Sequence, residues 1–358
     1  MTTSSVPRAA TAALLLCVAA GCGAAPRPAA VASAAPSSDA PRIDWGLVMH
    51  GGAGTITRES MTPAMERQFT ETMEAAMRAG HAVLRDGGSS LDAVVATINV
   101  LEDSPLFNAG RGAVFTAEGT NSLDASIMYG PTLAAGAVAG VTRVTNPIPL
   151  ARAVMERSPH VLLSGAGAEE FARLRGIELV DPSWFYTEHR WRALEEARRA
   201  EQGGGDDDAS QAGAGRSSNA AKFGTVGVVA MDRTGAIAAG TSTGGMTNKK
   251  WGRIGDSPVI GAGTYASADC GVSATGWGEY FIRNVVAYDI CARAKYLGIP
   301  VEESARRMIM EQLEAQEPET GGIVALDGDG RVVMMFNSPG MYRGWVGADG
   351  MPHTAIYR

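Results

Sequence analysis

Thr225 follows Gly224 at the head of an apolar run, GTVGVVAM, and that junction can make an unusual nucleophile. A threonine hydroxyl attacks poorly until a base takes its proton, but a threonine at a chain terminus carries its own base, the α-amine. The reference pKa of that amine is about 8, so a modest downward shift leaves it largely neutral at mild pH. Creating it requires breaking the Gly224–Thr225 bond, and glycine adopts backbone conformations that help the hydroxyl reach the preceding carbonyl. The tract in front, EQGGGDDDASQAGAGRSSN, is too polar and glycine-rich to join a core. Its residues 202–219 read as a disordered linker that lets a new chain end swing clear. Taken alone, GTVG fits an ordinary loop-to-strand junction as well.

Competing chemistries find less support. Gly51-Gly-Ala-Gly54 is not GxGxxG, and no GxxxxGK precedes a Ser or Thr, which weighs against nucleotide binding. Ser164-Gly-Ala-Gly167 lacks the GxSxG order of a nucleophile elbow. His50, His160, His189 and His353 fall in separate segments and His81 in a helical pattern, so a Ser-His-Asp triad fits poorly. Most of these histidines read as structural or solvent-facing. A formal charge of −7 without a basic stripe argues against nucleic-acid binding. With neither CxxC nor a His/Cys cluster, a structural zinc site is disfavoured.

These residues need elements to hold them. A chain of 358 residues with 45% apolar side chains can build one large domain or two modest ones. Trp45–His50 reads as a buried strand ending in Gly51–Gly54. A helix is expected from about Thr62 to Leu84, stopped by Gly87-Gly88, and another from Leu91 to Glu102 with Ser90 as its N-cap. Asn121–Val141 reads as two strands around Gly130-Pro131, and Pro147 and Pro149 open a helix over Leu150–Arg157. Trp184–Glu201 is a charged amphipathic helix. Beyond Thr225, hairpins are expected over Thr225–Met231 with Ala236–Thr241, and over Gly322–Leu326 with Val332–Phe336. Short strands are expected at Val259–Ala262 and Val272–Ala274, and long helices over Glu279–Leu297 and Val301–Ala315. Helices grouped between groups of hairpin strands give an α+β fold.

The first segment is not fold. Arg8 precedes an apolar run, Ala9–Ala20, too short to span a bilayer as a mature helix but fitting a signal-peptide core. It ends in Ala19-Ala20-Gly21-Cys22, which resembles a bacterial lipobox. Residues 1–22 are therefore expected to be a lipoprotein signal with Cys22 lipidated, and the Ala/Pro/Ser-rich residues 23–43 a flexible tether. The protein is then exported, held to a membrane only by lipid, and faces the periplasm or cell exterior. A plain secretory signal cleaved nearby is the alternative. Cys270 and Cys291 can pair in an oxidising compartment, but their spacing fits two buried free thiols equally well.

Eight ordered stretches carry a resemblance that spans about Asp44 to the C-terminus. They are His50-Gly-Gly-Ala-Gly54, Pro105-Leu-Phe-Asn-Ala-Gly-Arg-Gly-Ala-Val-Phe115, Leu123-Asp-Ala125 and Gly224-Thr-Val-Gly227. After these come Gly240-Thr-Ser-Thr-Gly-Gly-Met-Thr-Asn-Lys249, Gly252-Arg-Ile-Gly-Asp-Ser-Pro258, Gly261-Ala-Gly263 and Ala274-Thr-Gly-Trp-Gly-Glu279. The chain thereby resembles the isoaspartyl peptidase/type 2 (plant-type) L-asparaginase family, N-terminal-threonine-nucleophile hydrolases. The resemblance implies an α+β fold, a four-layer αββα sandwich. Autoproteolysis would split it into an α subunit, 44–224, and a β subunit, 225–358. The implied reaction is hydrolysis of β-aspartyl amide bonds in isoaspartyl dipeptides and L-asparagine, with no cofactor needed for the chemistry.

By the same resemblance Thr225 is the nucleophile freed after Gly224, and Thr243 hydrogen-bonds it. Thr275 and the Gly276 N–H form the oxyanion hole, Arg253 grips the substrate α-carboxylate, and Asp256 binds its ammonium with Gly276 and Gly278 as backbone acceptors. Backbone carbonyls of Leu101, Glu102, Ser104, Phe107, Ala109 and Arg111 would hold a structural monovalent cation such as Na⁺. A dimer of processed αβ units is implied, acting on a small molecule or dipeptide. Without the resemblance, Arg253 and Asp256 read equally as a surface ion pair, and Thr243 and Thr275 as plain strand residues. Trp277 departs from the family, which commonly has a small or polar residue there, and an indole would favour apolar leaving groups. Two alternatives are a glycosylasparaginase and a non-catalytic, lipid-tethered binding protein.

Overall fold

The computed structural model describes residues 1–2, 41–203 and 224–358. Cys22, the signal segment, most of the tether and the linker after residue 203 lie outside the described residues. Pro41–Ile43, at the end of the expected tether, are docked: Arg42 bridges to Arg331 and Ile43 is buried.

The strands form two sheets, each buried on both faces. β1 (Gly46–Gly54) lies between β5 (Val226–Met231) and β11 (Gly340–Val346). Period two sends Leu47 and Met49 to one apolar cluster and Val48 to another, and β5 divides in the same way. β6 (Ile237–Thr243), β2 (Leu123–Tyr129), β3 (Ala134–Val141) and β4 (Leu162–Ser164) continue this sheet on one side, and β12 (His353–Tyr357) edges it on the other. The second sheet runs in the order β10 (Val332–Phe336), β9 (Gly321–Asp327), β8 (Cys270–Gly276), β7 (Thr264–Ser267).

Helices cover the outer faces. α1 (Pro63–Arg85) starts at the Thr62 cap, and α2 (Ser90–Asp103) starts at Ser89, whose hydroxyl and Asp92 form a capping box. They share one apolar cluster with α3 (Pro147–Arg157), α4 (Gly165–Leu174) and the large sheet. α5 (Glu188–Gly203) closes this half of the chain. α6 (Gly278–Asn284), α7 (Val286–Leu297) and α8 (Val301–Arg306), which runs on as a π-turn through Leu313, cover the small sheet. Between the sheets, Val48, Val229 and Ile237 meet Val324 and Leu326.

Several expectations need correction. The N-cap of α2 is Ser89, because the reciprocal bond to Asp92 requires three-residue spacing. Val259–Ala262 is a turn, closed by the Ala262 N–H on the Val259 carbonyl, and the strand begins at Thr264. Glu279–Leu297 is two helices, broken at Val285, which has a left-handed φ of 49°. The strands β11 and β12 had no expectation at all. Cys270 and Cys291 are disulfide-bonded, tying β8 to α7 across a Cα separation of 5.6 Å.

Candidate active site

Strand register brings Thr225 to Thr243. β5 and β6 pair Val226 with Ser242, so Thr225, one residue before the strand, lies beside Thr243 at the end of β6. Their hydroxyls are 2.9 Å apart, and Thr243 also accepts the Gly245 N–H at 3.0 Å. The Thr225 carbonyl accepts from His50 Nδ1 at 3.0 Å. Burial pushes the His50 imidazole down to about 3, so the ring is neutral, and a carbonyl partner places its single proton on Nδ1.

The junction itself sits in a slot. The Gly224 carbonyl accepts the Asn108 backbone N–H at 2.9 Å. A β-carbon on Gly224 would lie 2.8 Å from Asn108 Cβ, and one on Gly52 would lie 2.5 Å from Gly224 Cα. Only glycine fits a backbone approached so closely from both sides. The Asn108 side chain donates to the Gly245 carbonyl at 2.6 Å and accepts from Val114 N–H at 2.9 Å, so the slot is rigid.

Thr225 and Thr243 open into a pocket also lined by Arg253, Asp256, Gly276 and Trp277. Thr275 is buried beneath it; its hydroxyl accepts the Ala53 N–H at 3.3 Å, leaving its own hydrogen to donate. Arg253 pairs with Glu279 and not with Asp256: Nε and Nη2 each lie 2.9 Å from a Glu279 oxygen. That bidentate pair uses one edge of the guanidinium and leaves the Nη1/Nη2 edge for a second carboxylate. Asp256 is buried, one of its carboxyl oxygens has no partner, and burial raises it to about 7 against the lowering charge of Arg253. An unpaired buried carboxyl in a pocket is poised for a cation. Gly278 stands against both groups: a β-carbon there would be 2.8 Å from Asp256 Oδ1 and 2.9 Å from Arg253 Nη2. The Trp277 ring meets Tyr280 edge-on at 5.3 Å.

The loop Leu101–Arg111 is wound tightly. The Leu101 carbonyl accepts Ser104 N–H and the Ala109 carbonyl accepts Gly112 N–H. β-Carbons on Gly110 and Gly112 would overlap the Glu102 and Phe107 carbonyls, so these oxygens face backbone that carries no side chain. Carbonyl oxygens without charge suit a monovalent cation. The Glu102 carboxyl adds no charge, because burial raises it to about 8, and it accepts instead from Ser242 Oγ at 2.6 Å. Among the described residues no group of three or more His, Cys, Asp or Glu could hold a metal ion.

A family profile described as asparaginase matches residues 43–356. The chain belongs to the asparaginase family. It is 48% identical to the isoaspartyl peptidase of Escherichia coli over 318 residues, covering 87% of this chain and 96% of that protein. A probable isoaspartyl peptidase/L-asparaginase 2 of Arabidopsis thaliana is 40% identical over 326 residues, 87% of this chain and 99% of the relative. A plant-type L-asparaginase of Pyrococcus furiosus is 42% identical over 301 residues, 82% and 94%. Like these family members, the chain is an enzyme, a hydrolase.

Sequence reasoning passed over four residues of this asparaginase-family site. His50 was set aside with the other histidines, Asn108 had no assigned role inside its motif, and Glu279 was not seen as the partner of Arg253. Lys249, buried with its Nζ 2.8 Å from the Ser122 carbonyl and 3.9 Å from Asp124, is the fourth. Their presence within the glycine-rich stretches was the available signal, since glycines pack backbone close only where something needs the space.

Proposed function

We propose that the chain hydrolyses β-aspartyl amide bonds, in isoaspartyl dipeptides and L-asparagine, through Thr225 freed by self-cleavage. The observation that carries this reading is the 2.9 Å contact of the Thr225 and Thr243 hydroxyls in a pocket shared with Arg253 and Asp256. In cleavage, Thr225 Oγ attacks the Gly224 carbonyl carbon, and the Asn108 N–H faces the oxygen on which charge develops. The C–N bond breaks as the Thr225 hydroxyl proton passes to the Thr225 nitrogen, and water hydrolyses the resulting ester to the Gly224 carboxylate and the free Thr225 hydroxyl. In turnover, Thr225 Oγ attacks the substrate carbonyl while the free α-amine takes its proton. Thr275 and the Gly276 N–H receive the oxyanion, each donor worth about 3 kcal/mol. Arg253 holds the α-carboxylate, and Asp256 the ammonium with Gly276 and Gly278. The amine takes the proton to the leaving ammonia or amino acid, and water releases aspartate.

The two packed sheets with helices outside them support reading the fold as the four-layer αββα sandwich. A cation among the carbonyls of Leu101, Glu102, Ser104, Phe107, Ala109 and Arg111 would be structural. Trp277 beside Gly276 supports a preference for apolar leaving groups. Comparing β-aspartyl-leucine with asparagine in wild type and Trp277→Gly tests this, and an unchanged ratio of kcat/KM values would refute it. The disulfide supports export to an oxidising compartment, and lipid at Cys22 and a dimer of αβ units are part of the same proposal. A glycosylasparaginase is disfavoured by Thr247-Asn-Lys249, and the lipid-tethered non-catalytic binder has no support among the relatives.

Intact mass and a denaturing gel test the central claim. Wild type should give two fragments split at Gly224–Thr225, and Thr225→Ala should give one chain without activity. A wild type that stays whole, or an active Thr225→Ala, would defeat it.

A further inference from the structure

A buried polar seam that the reaction does not use runs through the layer between the sheets. His50 Nε2 lies 2.9 Å from Ser273 Oγ, which lies 2.7 Å from Thr241 Oγ1; Thr264 Oγ1 is 2.5 Å from Thr241 and 2.8 Å from Ser126 Oγ. Ser126 also reaches the carbonyl of Ser257, the neighbour of Asp256, at 2.6 Å. The seam crosses between the sheets at every step: β1, β8, β6, β7, β2. All five side chains are fully buried.

Counting hydrogens fixes its direction. The Thr225 carbonyl accepts only, so the single ring proton of His50 sits on Nδ1 and Nε2 must accept. Ser273 therefore donates to His50, Thr241 to Ser273, and Thr264 to Thr241. The carbonyls of Gly240 and Gly263, each 3.2 Å from a hydroxyl of the chain, are longer competitors. The last glycine of Gly224-Thr-Val-Gly227 has its reason here. A β-carbon on Gly227 would overlap both Ser273 Oγ and His50 Nε2, so the His50–Ser273 bond occupies the space a side chain would take.

We propose that His50, Ser273, Thr241 and Thr264 act as one positioning unit, an ordered donor chain that fixes the Thr225 carbonyl and so aims the nucleophile. This rests on the reading of Thr225 as nucleophile. Before cleavage Thr225 is tethered on both sides. After cleavage the residue is a chain terminus held by its carbonyl, its hydroxyl contact and the strand that follows. The chain therefore matters more for turnover than for self-cleavage.

Thr241 lies outside the reacting groups, and Thr241→Val removes its hydroxyl while keeping its shape. In the processed Thr241→Val protein, kcat is expected to fall about tenfold or more, with KM within about twofold and fragments still formed, because a buried acceptor is left unpaired. Thr241→Ser restores the hydroxyl and should return kcat to within about threefold of wild type. Ser273→Ala, which adds no bulk, should repeat the loss if the valine protein does not fold. A Thr241→Val or Ser273→Ala protein that folds, cleaves and keeps wild-type kcat overturns the proposal, as does a loss that Thr241→Ser fails to rescue. Failure of wild type to cleave would instead overturn the assignment of Thr225.

Discussion

Asp256→Asn separates the proposed ammonium-binding role of this carboxyl from its cost to the fold. Burial holds Asp256 up at about 7, with Glu279 and Asp124 adding to the rise and Arg253 opposing it. A substrate ammonium needs the carboxylate, so below pH 7 the free enzyme must lose a proton before binding. At pH 6 about one site in eleven is ionised, so kcat/KM should fall about elevenfold from its plateau, or about 1.4 kcal/mol. An aspartate at the ordinary value of 3.8 would show no loss there. The stability sign runs the other way from most carboxylates. The folded value lies above the unfolded one, so the folded protein holds the extra proton and loses stability as pH rises from about 4 to about 7. Above pH 7 the cost is constant, on the order of 4 kcal/mol as an upper limit. Asp256→Asn should therefore be more stable than wild type at pH 8 and equal to it near pH 4. It should also lose activity. Glu102 is buried and raised in both proteins, so it cancels. Thermal melts and pH–rate profiles of the two proteins provide the assay. A stability gap that does not change between pH 4 and 8, or an Asp256→Asn protein with wild-type kcat/KM, would refute the reasoning.

Reducing the Cys270–Cys291 bridge, or Cys291→Ala, should cost about 3 kcal/mol for a separation of 21 residues. For a chain of this size that is about 5 °C in Tm, readable by calorimetry with and without reductant. Gly278→Ala puts a methyl between Asp256 and Arg253 and should raise KM about tenfold or more while self-cleavage proceeds, since the two groups proposed to bind substrate must move apart. Glu279→Gln should weaken the hold on Arg253 and raise KM by a few fold, seen in steady-state kinetics, because the pair is partly exposed.

Much of the fold was legible where periodicity and caps are local. Thr62, Pro147 and the glycines around Asp327–Gly330 each mark a boundary the structure keeps within a few residues. Val285 was not legible: it is exposed, a β-branched residue in the left-handed region is unexpected, and the break lets Phe281 and Val286 on either side of it both reach the small-sheet core. Nor were β11 and β12: their glycines, arginine and tryptophan make a weak strand pattern, and β11 is fixed by pairing with β1 far away in sequence. At the site, Arg253 and Asp256 read by spacing alone as a surface ion pair, and only the resemblance pointed to their binding substrate. The partner that holds Arg253 lies 26 residues on, so spacing favoured the wrong carboxylate. His50 was missed for a related reason: an imidazole that accepts from a serine and donates to a carbonyl looks, in sequence, like any buried histidine.

The order of strands explains how a chain can be cut at its own nucleophile and stay folded. In the large sheet, β12 and β11 come from after Thr225, β1 from before it, β5 and β6 from after, and β2, β3 and β4 from before. The two products of cleavage would thus be joined by three strand pairings, β11 with β1, β1 with β5 and β6 with β2. Breaking the Gly224–Thr225 bond removes none of these ladders. It would also leave Thr275, the proposed oxyanion donor, on the small sheet, bonded to Ala53 N–H of β1 from the other side of the cut. The site is built from both sides of the proposed cut, so the interleaved sheet that resists separation would also keep Thr225, Thr275 and His50 in one place once the covalent link is lost.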